Sequence, residues 1–194
     1  RDLRTEKARQ YNIGFTLPVT LHEKIDLEIT TDGYRNRVTD KIVTFPNKNT
    51  FNWTVMNFGK VEITGLDITG KLTYHFSDKM YLLLQSGYTY QKSLDVTDPE
   101  GRTWKHQLPY TPRVSGSGSM TLVHPLAQLT YGLLWSGHRY ALTENYAENR
   151  LPGYAEHNVS VVRDVKFLNH ALQCKFEILN IWNENYQIVR WFPM

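Results

Sequence analysis

Val61–Gln91 reads VEITGLDITGKLTYHFSDKMYLLLQSGYTYQ. In its first half Leu66, Ile68, Leu72 and Tyr74 share one parity, with Gly70 the gap among them, and Asp67, Thr69, Lys71 and Thr73 share the other. In its second half Met80, Leu82, Leu84, Tyr88 and Tyr90 oppose Gln85, Thr89 and Gln91. Successive side chains of a strand point to opposite faces, so each half has one apolar and one polar side. Ser77-Asp78 between them has turn chemistry. The stretch predicts an antiparallel hairpin of two long strands.

The same pattern extends in both directions. Upstream, Tyr11, Ile13, Phe15, Leu17 and Val19 alternate with polar or small residues, and Ile25, Leu27 and Ile29 with Asp26, Glu28 and Thr30. Near Gly33 the apolar parity moves to Tyr34, Val38 and Ile42, which predicts a bulge at Asp32-Gly33. Downstream, strands are expected over Val114–Leu122, Ala127–Trp135, Tyr154–Phe167 and Leu172–Ile178. Short connections (Leu21–Lys24, Ser77–Lys79, His124–Leu126, Leu168–His170) alternate strictly with long ones (Phe45–Asn52, Leu94–Thr111, Arg139–Pro152). Tight turns at one rim and long loops at the other are the plan of an outer-membrane barrel. Several runs reach the ~9–11 residues that a tilted membrane strand needs. Aromatics gather at strand ends: Tyr74, Phe76, Tyr81 and Phe167 near short turns, and Tyr34, Tyr88, Tyr90, Trp135 and Tyr154 toward long loops. Such a distribution predicts two interfacial girdles.

Composition narrows the function classes. The 194 residues carry a net charge of only +3, with acidic and basic residues interleaved, so no basic stripe tracks a nucleic acid. The single cysteine, Cys174, excludes an internal disulfide framework and a cysteine zinc site. No apolar run approaches ~18 residues, and the opening RDLRTEK has no signal-peptide pattern. A mildly negative mean hydropathy is compatible with a membrane barrel, whose strands show lipid only alternate residues. The reading is all-β: an antiparallel up-and-down transmembrane β-barrel segment of about eight strands.

Four stretches sharpen it. LRTEKARQYNIGF (residues 3–15), Gly59-Lys60-Val61-Glu62 through Gly65-Leu66-Asp67, Leu179-Asn180-Ile181-Trp182-Asn183-Glu184-Asn185-Tyr186, and Trp191-Phe192-Pro193-Met194 resemble, in order and spacing, the C-terminal barrel half of TonB-dependent outer-membrane receptors of Bacteroidetes type. The resemblance implies that residues 1–194 are part of a 22-stranded barrel whose plug domain and closing C-terminal strand lie outside this chain. It also implies the outer membrane of a Gram-negative bacterium as the location. The implied function is import of a large scarce ligand (siderophore-iron, haem, cobalamin or a glycan), driven by TonB through an N-terminal region. Implied partners are outer-membrane lipid, the rest of the barrel and plug, TonB and the ligand; no nucleic acid and no cofactor are implied.

No GxSxG, HExxH or phosphate-binding glycine loop occurs, and no enzymatic activity is expected. Gly116-Ser117-Gly118-Ser119 sits inside a strand with no helix after it. Asp95, Asp98 and Glu100 could bind a hard cation but lack EF-hand spacing, so a solvated acidic loop is expected. The candidate ligand contacts are in the long loops: Arg102, Trp104 and His106, with neighbouring Lys105, in one, and Arg139, Tyr140 and Tyr146, with Arg150, in the next. The same residue types serve equally well to anchor a rim at lipid headgroups. Competing readings are a complete eight-stranded barrel with a structural or adhesive role, a soluble ligand-binding β-barrel, and an outer-membrane acyl hydrolase using His138 or His157.

Overall fold

The fold is described from a computed structural model that describes residues 3–46, 53–168, 170–190 and 192–193. Its strands are β1 (Lys7–His22), β2 (Ile25–Pro46), β3 (Trp53–Ser77), β4 (Met80–Asp95), β5 (Val114–His124), β6 (Ala127–Ser136), β7 (Arg139–Tyr140), β8 (Arg150–Leu151), β9 (Tyr154–Phe167), β10 (His170–Ile178), β11 (Gln187–Val189) and β12 (Phe192–Pro193). Eight of them form one antiparallel sheet in the order β1-β2-β3-β4-β5-β6-β9-β10; β7 pairs with β8 and β11 with β12. Within the eight-stranded sheet each strand lies beside the next of its strands along the chain, as in an up-and-down barrel. The sheet does not close: β1 and β10 are its edges. Residues 47–52, most of the loop expected at Phe45–Asn52, lie outside the described residues, as do Asn169, Trp191 and Met194.

The pairing register fixes the faces. Residues directly opposite in an antiparallel pair point to the same side. Leu17 faces Ile29, Leu27 faces Leu72, Leu72 faces Leu84, Leu84 faces Met120, Met120 faces Tyr131, Leu129 faces Val161, and Val161 faces Phe176. One unbroken apolar face therefore crosses all eight strands. The opposite face carries Asn12, Asp32, Thr69, Gln85, Ser117, Thr130, Asn158 and Lys175 by the same registers.

The apolar face is open. Ile13 is 80% exposed, Phe15 65%, Leu129 47% and Phe176 66%. A soluble sandwich or closed soluble barrel would bury these side chains together. The buried hydrophobics among the described residues are instead Val38, Val61, Leu108, Ala141, Leu151 and Tyr186, all toward the long-loop end. Among the described residues no other part of the chain covers this apolar surface, which suits a sheet whose solvent on that side is hydrocarbon.

Two expectations are corrected by the register. No bulge interrupts β2 at Asp32-Gly33: both ladders run through it, and the shifts lie beside the short turns, at Thr20/His22 and His75/Ser77. The change of parity is a change of surroundings along a continuous strand, because the face that carries Leu27 and Ile29 continues as Arg35 and Arg37. Tyr34, Tyr81 and Tyr154 do not belong to an outer girdle. They pair with Gly65, Val123 and Ser136 on the polar face. Tyr11, Tyr88, Tyr90 and Trp135 are the aromatics of the apolar face at the long-loop end, with the Tyr88 and Trp135 rings 6.0 Å apart.

Tyr34 shows how the polar face is ordered. Its ring crosses Gly65, and its hydroxyl donates to Gln91 Oε1 at 3.1 Å. Gln91 Nε2 donates onward to Ser93 Oγ at 2.6 Å. A Cβ at residue 65 would sit 2.3 Å from Tyr34 Cζ. Gly65→Ala is expected to expel the ring and break the Tyr34–Gln91 bond, costing about 1–2 kcal/mol. Equilibrium urea unfolding of the full-length protein checks this, with Gly65→Ala/Tyr34→Ala less impaired than the sum of the single changes.

Candidate functional site at the long-loop rim

The two long connections fold against each other. Residues 96–113 begin at Asp95, which is 4% exposed and whose carboxylate takes three hydrogen bonds: from the Thr97 amide at 2.9 Å, the Thr97 hydroxyl at 2.5 Å and the Thr103 hydroxyl at 2.5 Å. An Asp followed two residues on by Thr is an Asx-turn signal, and here it sets the loop's entry. Thr97 in turn packs over Gly59 and accepts the Lys60 amide at 2.9 Å. The loop then runs back along β4, with the Lys105 amide bonded to Asp95 O and the Leu108 amide to Ser93 O. Lys105 and Tyr110 adopt positive φ, 59° and 57°, to make these reversals.

Asn145 joins the second loop to the first. Its Oδ1 accepts the Gln107 amide at 2.6 Å, its Nδ2 donates to Gln107 O at 3.0 Å, and its own amide donates to His106 Nδ1 at 3.3 Å. The Tyr110 amide bonds Tyr140 O at 2.8 Å. Gln107 is only 2% exposed, so Asn145→Ala strands both of its backbone groups away from water. The expected cost is about 2–4 kcal/mol in loop stability. It should appear as faster hydrogen exchange in residues 106–111 with the exchange of β5 and β6 unchanged.

The second loop is held to the chain beyond β10. Arg139, 4% exposed, donates to Pro152 O at 3.1 Å, to Gln187 O, and to Ile188 O at 3.3 Å, and stacks 5.3 Å over the Tyr154 ring. Burial pushes its pKa down, partly offset by Tyr154 and Tyr110. The Tyr186 hydroxyl donates to Glu156, a bond that leads the rise of its pKa to about 12, and its ring stacks on Tyr154 at 4.1 Å. Burial, with Arg150 and Arg113 nearby, lowers the His138 pKa.

With this geometry, a known family covers almost the whole chain: the TonB dependent receptor-like β-barrel matches residues 1–181. The chain belongs to the TonB-dependent receptor family. Among solved structures, the ferric-catecholate import receptor Fiu of E. coli K12 is similar at 17% identity and TM-score 0.65, over 96% of this chain and 25% of that one. The siderophore receptor PiuA of Acinetobacter baumannii is similar at 19% identity and TM-score 0.65, over 94% and 25%. The ferric yersiniabactin uptake receptor FyuA of Yersinia pestis is similar at 14% identity and TM-score 0.64, over 95% and 26%. At these identities the likeness shows the fold, and this chain spans about a quarter of each matched structure. No curated protein sequence matches it.

Within this TonB-dependent receptor segment the six candidate contacts fall into three groups. Arg102 and Tyr146 are exposed; Trp104, His106 and Tyr140 are half-buried, with Lys105 Nζ 6.0 Å from the Trp104 ring centroid. Arg139 is buried and bonded to three carbonyls of its own chain. Asp95 is occupied by Thr97 and Thr103, Asp98 Oδ1 by the Glu100 amide, and no metal-holding group of acids, His or Cys gathers among the described residues. His157 Nδ1 is 2.5 Å from the Tyr131 hydroxyl on the apolar face, away from the rim.

Proposed function

We propose that this chain is an arc of wall and rim in an outer-membrane receptor that binds a large scarce ligand (siderophore-iron, haem, cobalamin or a glycan) and imports it with TonB-coupled energy. One observation supports it above others: a continuous apolar face, open across eight strands, belongs to a sheet of this family that ends on two unpaired edges. Open edges cannot face lipid, so further strands must flank β1 and β10. The polar face then looks into the lumen, where a plug would sit. Arg102, Trp104, Tyr140 and Tyr146, with His106 beside them, grip the ligand, and Arg139 holds their loop in place.

The test is uptake by cells whose full-length receptor carries this segment. Haem, a ferric catecholate, a ferric hydroxamate, cobalamin and an oligosaccharide are supplied singly, with and without functional TonB. TonB-dependent uptake of one of them is expected, at least tenfold reduced by Trp104→Ala/Arg102→Ala. Uptake indifferent to TonB for every ligand would remove the proposal.

A further inference from the structure

Two arginines and a histidine meet where the polar face reaches the long loops. The Gln91 amide donates to Arg113 O at 2.8 Å, which carries the β4–β5 ladder one residue past the Tyr90–Val114 pair. Gln91 lies on the polar face, in the row of Tyr34 and Gly65, so Arg113 stands on that face at the head of β5. The Gly137 amide donates to Val114 O at 2.8 Å and carries the β5–β6 ladder on in the same way. One residue farther along that register, His138 falls opposite Arg113. Its ring meets Tyr140 edge-on at 6.1 Å, and Tyr140 is paired with Arg150 of β8.

Nothing anionic answers this group. Among the described residues no carboxylate forms an ion pair with Arg113, His138 or Arg150. The charged groups acting on His138 are Arg150 and Arg113, which together with burial hold its pKa below the ordinary histidine value. The imidazole is therefore neutral near pH 7. Arg139, the next residue, is turned onto the carbonyls of Pro152, Gln187 and Ile188 and the ring of Tyr154.

The three side chains come from separate segments, and each backbone is pinned. Arg113 is tied to β4, and His138 stands between bonded Gly137 and buried Arg139. The Arg150 amide bonds Ala147 O, and the Ala141 amide bonds Asn149 O at 2.8 Å. Holding like charges together costs free energy, which an anion set between them recovers. Arginine forks suit oxyanions, and an imidazolium adds a further donor.

We propose that Arg113, His138 and Arg150 hold an oxyanionic group of the imported ligand, and that His138 takes up a proton as that group binds. The anion offsets the field of the two arginines and so favours the imidazolium. Linkage fixes the sign: the bound state holds more protons than the free state, so affinity rises as the pH falls toward the ordinary histidine range. Carboxylate, phosphate and phenolate oxygens all meet the requirement, and a neutral ligand does not. The inference rests on the receptor reading proposed above.

Calorimetric titration of the detergent-solubilised full-length receptor with inorganic sulfate provides the test, with dimethyl sulfone as the neutral counterpart. Sulfate keeps its charge across the pH range, so any proton taken up belongs to the protein. Paired buffers of different ionisation enthalpy measure that uptake. The wild type is expected to bind sulfate with a dissociation constant of about 1 mM or tighter at about pH 6.5, and to ignore the sulfone. Binding should take up roughly half a proton there, and should weaken about threefold or more, with uptake lost, near pH 8.5. His138→Gln should still bind sulfate but take up no proton. Arg113→Gln/Arg150→Gln should weaken binding at least tenfold at both pH values, its heat-modifiable gel band showing that the barrel is folded. Absence of saturable sulfate binding by the wild type, pH-independent affinity, proton uptake that survives in His138→Gln, or undiminished binding in the double variant would each overturn the proposal. A receptor that binds sulfate as expected but imports none of the five ligands fails the uptake reading alone. One that imports a ligand through TonB yet ignores sulfate fails this proposal alone.

Discussion

Met120→Arg is expected to block stable insertion of the receptor, and Ser119→Arg, one residue earlier, to be tolerated. Both positions lie in β5, about 14 Å along the strand from the turn that follows His124, which is near mid-membrane depth for a tilted strand. Met120 lies between Leu84 and Tyr131 on the apolar face and is 49% exposed. An arginine there costs about 2–4 kcal/mol at the bilayer midplane, a factor of roughly 30 to 1,000 in the folded population. Ser119 faces Gln85 and Gly132 on the opposite side, where water and polar groups solvate a guanidinium. Refolding of the full-length protein from urea into phosphatidylcholine vesicles, scored by the heat-modifiable band on gels, measures both. If Ser119→Arg were the damaging change, the sheet would be inside out and the lumen assignment would fall.

That contrast is legible in the sequence because the period of a strand is two. Leu66, Ile68, Leu72 and Tyr74 share one face in the structure, as their spacing required, and the register carries that face across all eight strands. Depth along a strand does not set the direction of a side chain. Tyr34, Tyr81 and Tyr154 lie near strand ends but on the lumen parity, so their position along the strand said nothing about which side they face. The parity change after Gly33 has a similar source. A 22-residue strand outruns the bilayer, so its outward face passes from hydrocarbon to headgroups without a break in the ladder.

The rim was legible only in part. The positions of the loops followed from the alternation of short and long connections. The bonds that shape them did not, because Asn145 meets Gln107 across 38 residues and Arg139 meets Ile188 across 49. Nothing local marks such partners. Residue type alone therefore placed buried Arg139 in the same class as exposed Arg102 and Tyr146. Asp95, expected in a solvated acidic loop, is instead buried, because its carboxylate closes a turn on Thr97 and accepts the Thr103 hydroxyl.

Asp95→Ala is accordingly expected to melt residues 96–106 while leaving the sheet intact. The carboxylate is nearly sealed from water and holds the Thr97 amide and the Thr97 and Thr103 hydroxyls at 2.5–2.9 Å. Hydrogen bonds to a charged group contribute about 1.5–3 kcal/mol each and are not additive, so a joint loss of about 3–5 kcal/mol is a reasonable scale. Loss of Thr97's anchor also frees its contact with Lys60 and Gly59, the tie between this loop and β3. Hydrogen exchange should quicken by about two to three orders of magnitude across residues 96–106 and hold steady in β3 to β6. Asp95→Asn keeps one carbonyl acceptor and should fall between the two. Trp104 and Arg102 ride on this segment, so on the ligand-gripping role proposed for them uptake should drop at least tenfold in Asp95→Ala with insertion unchanged. Unaltered exchange in 96–106 would mean that the rim is held by Asn145 and the β4 contacts alone.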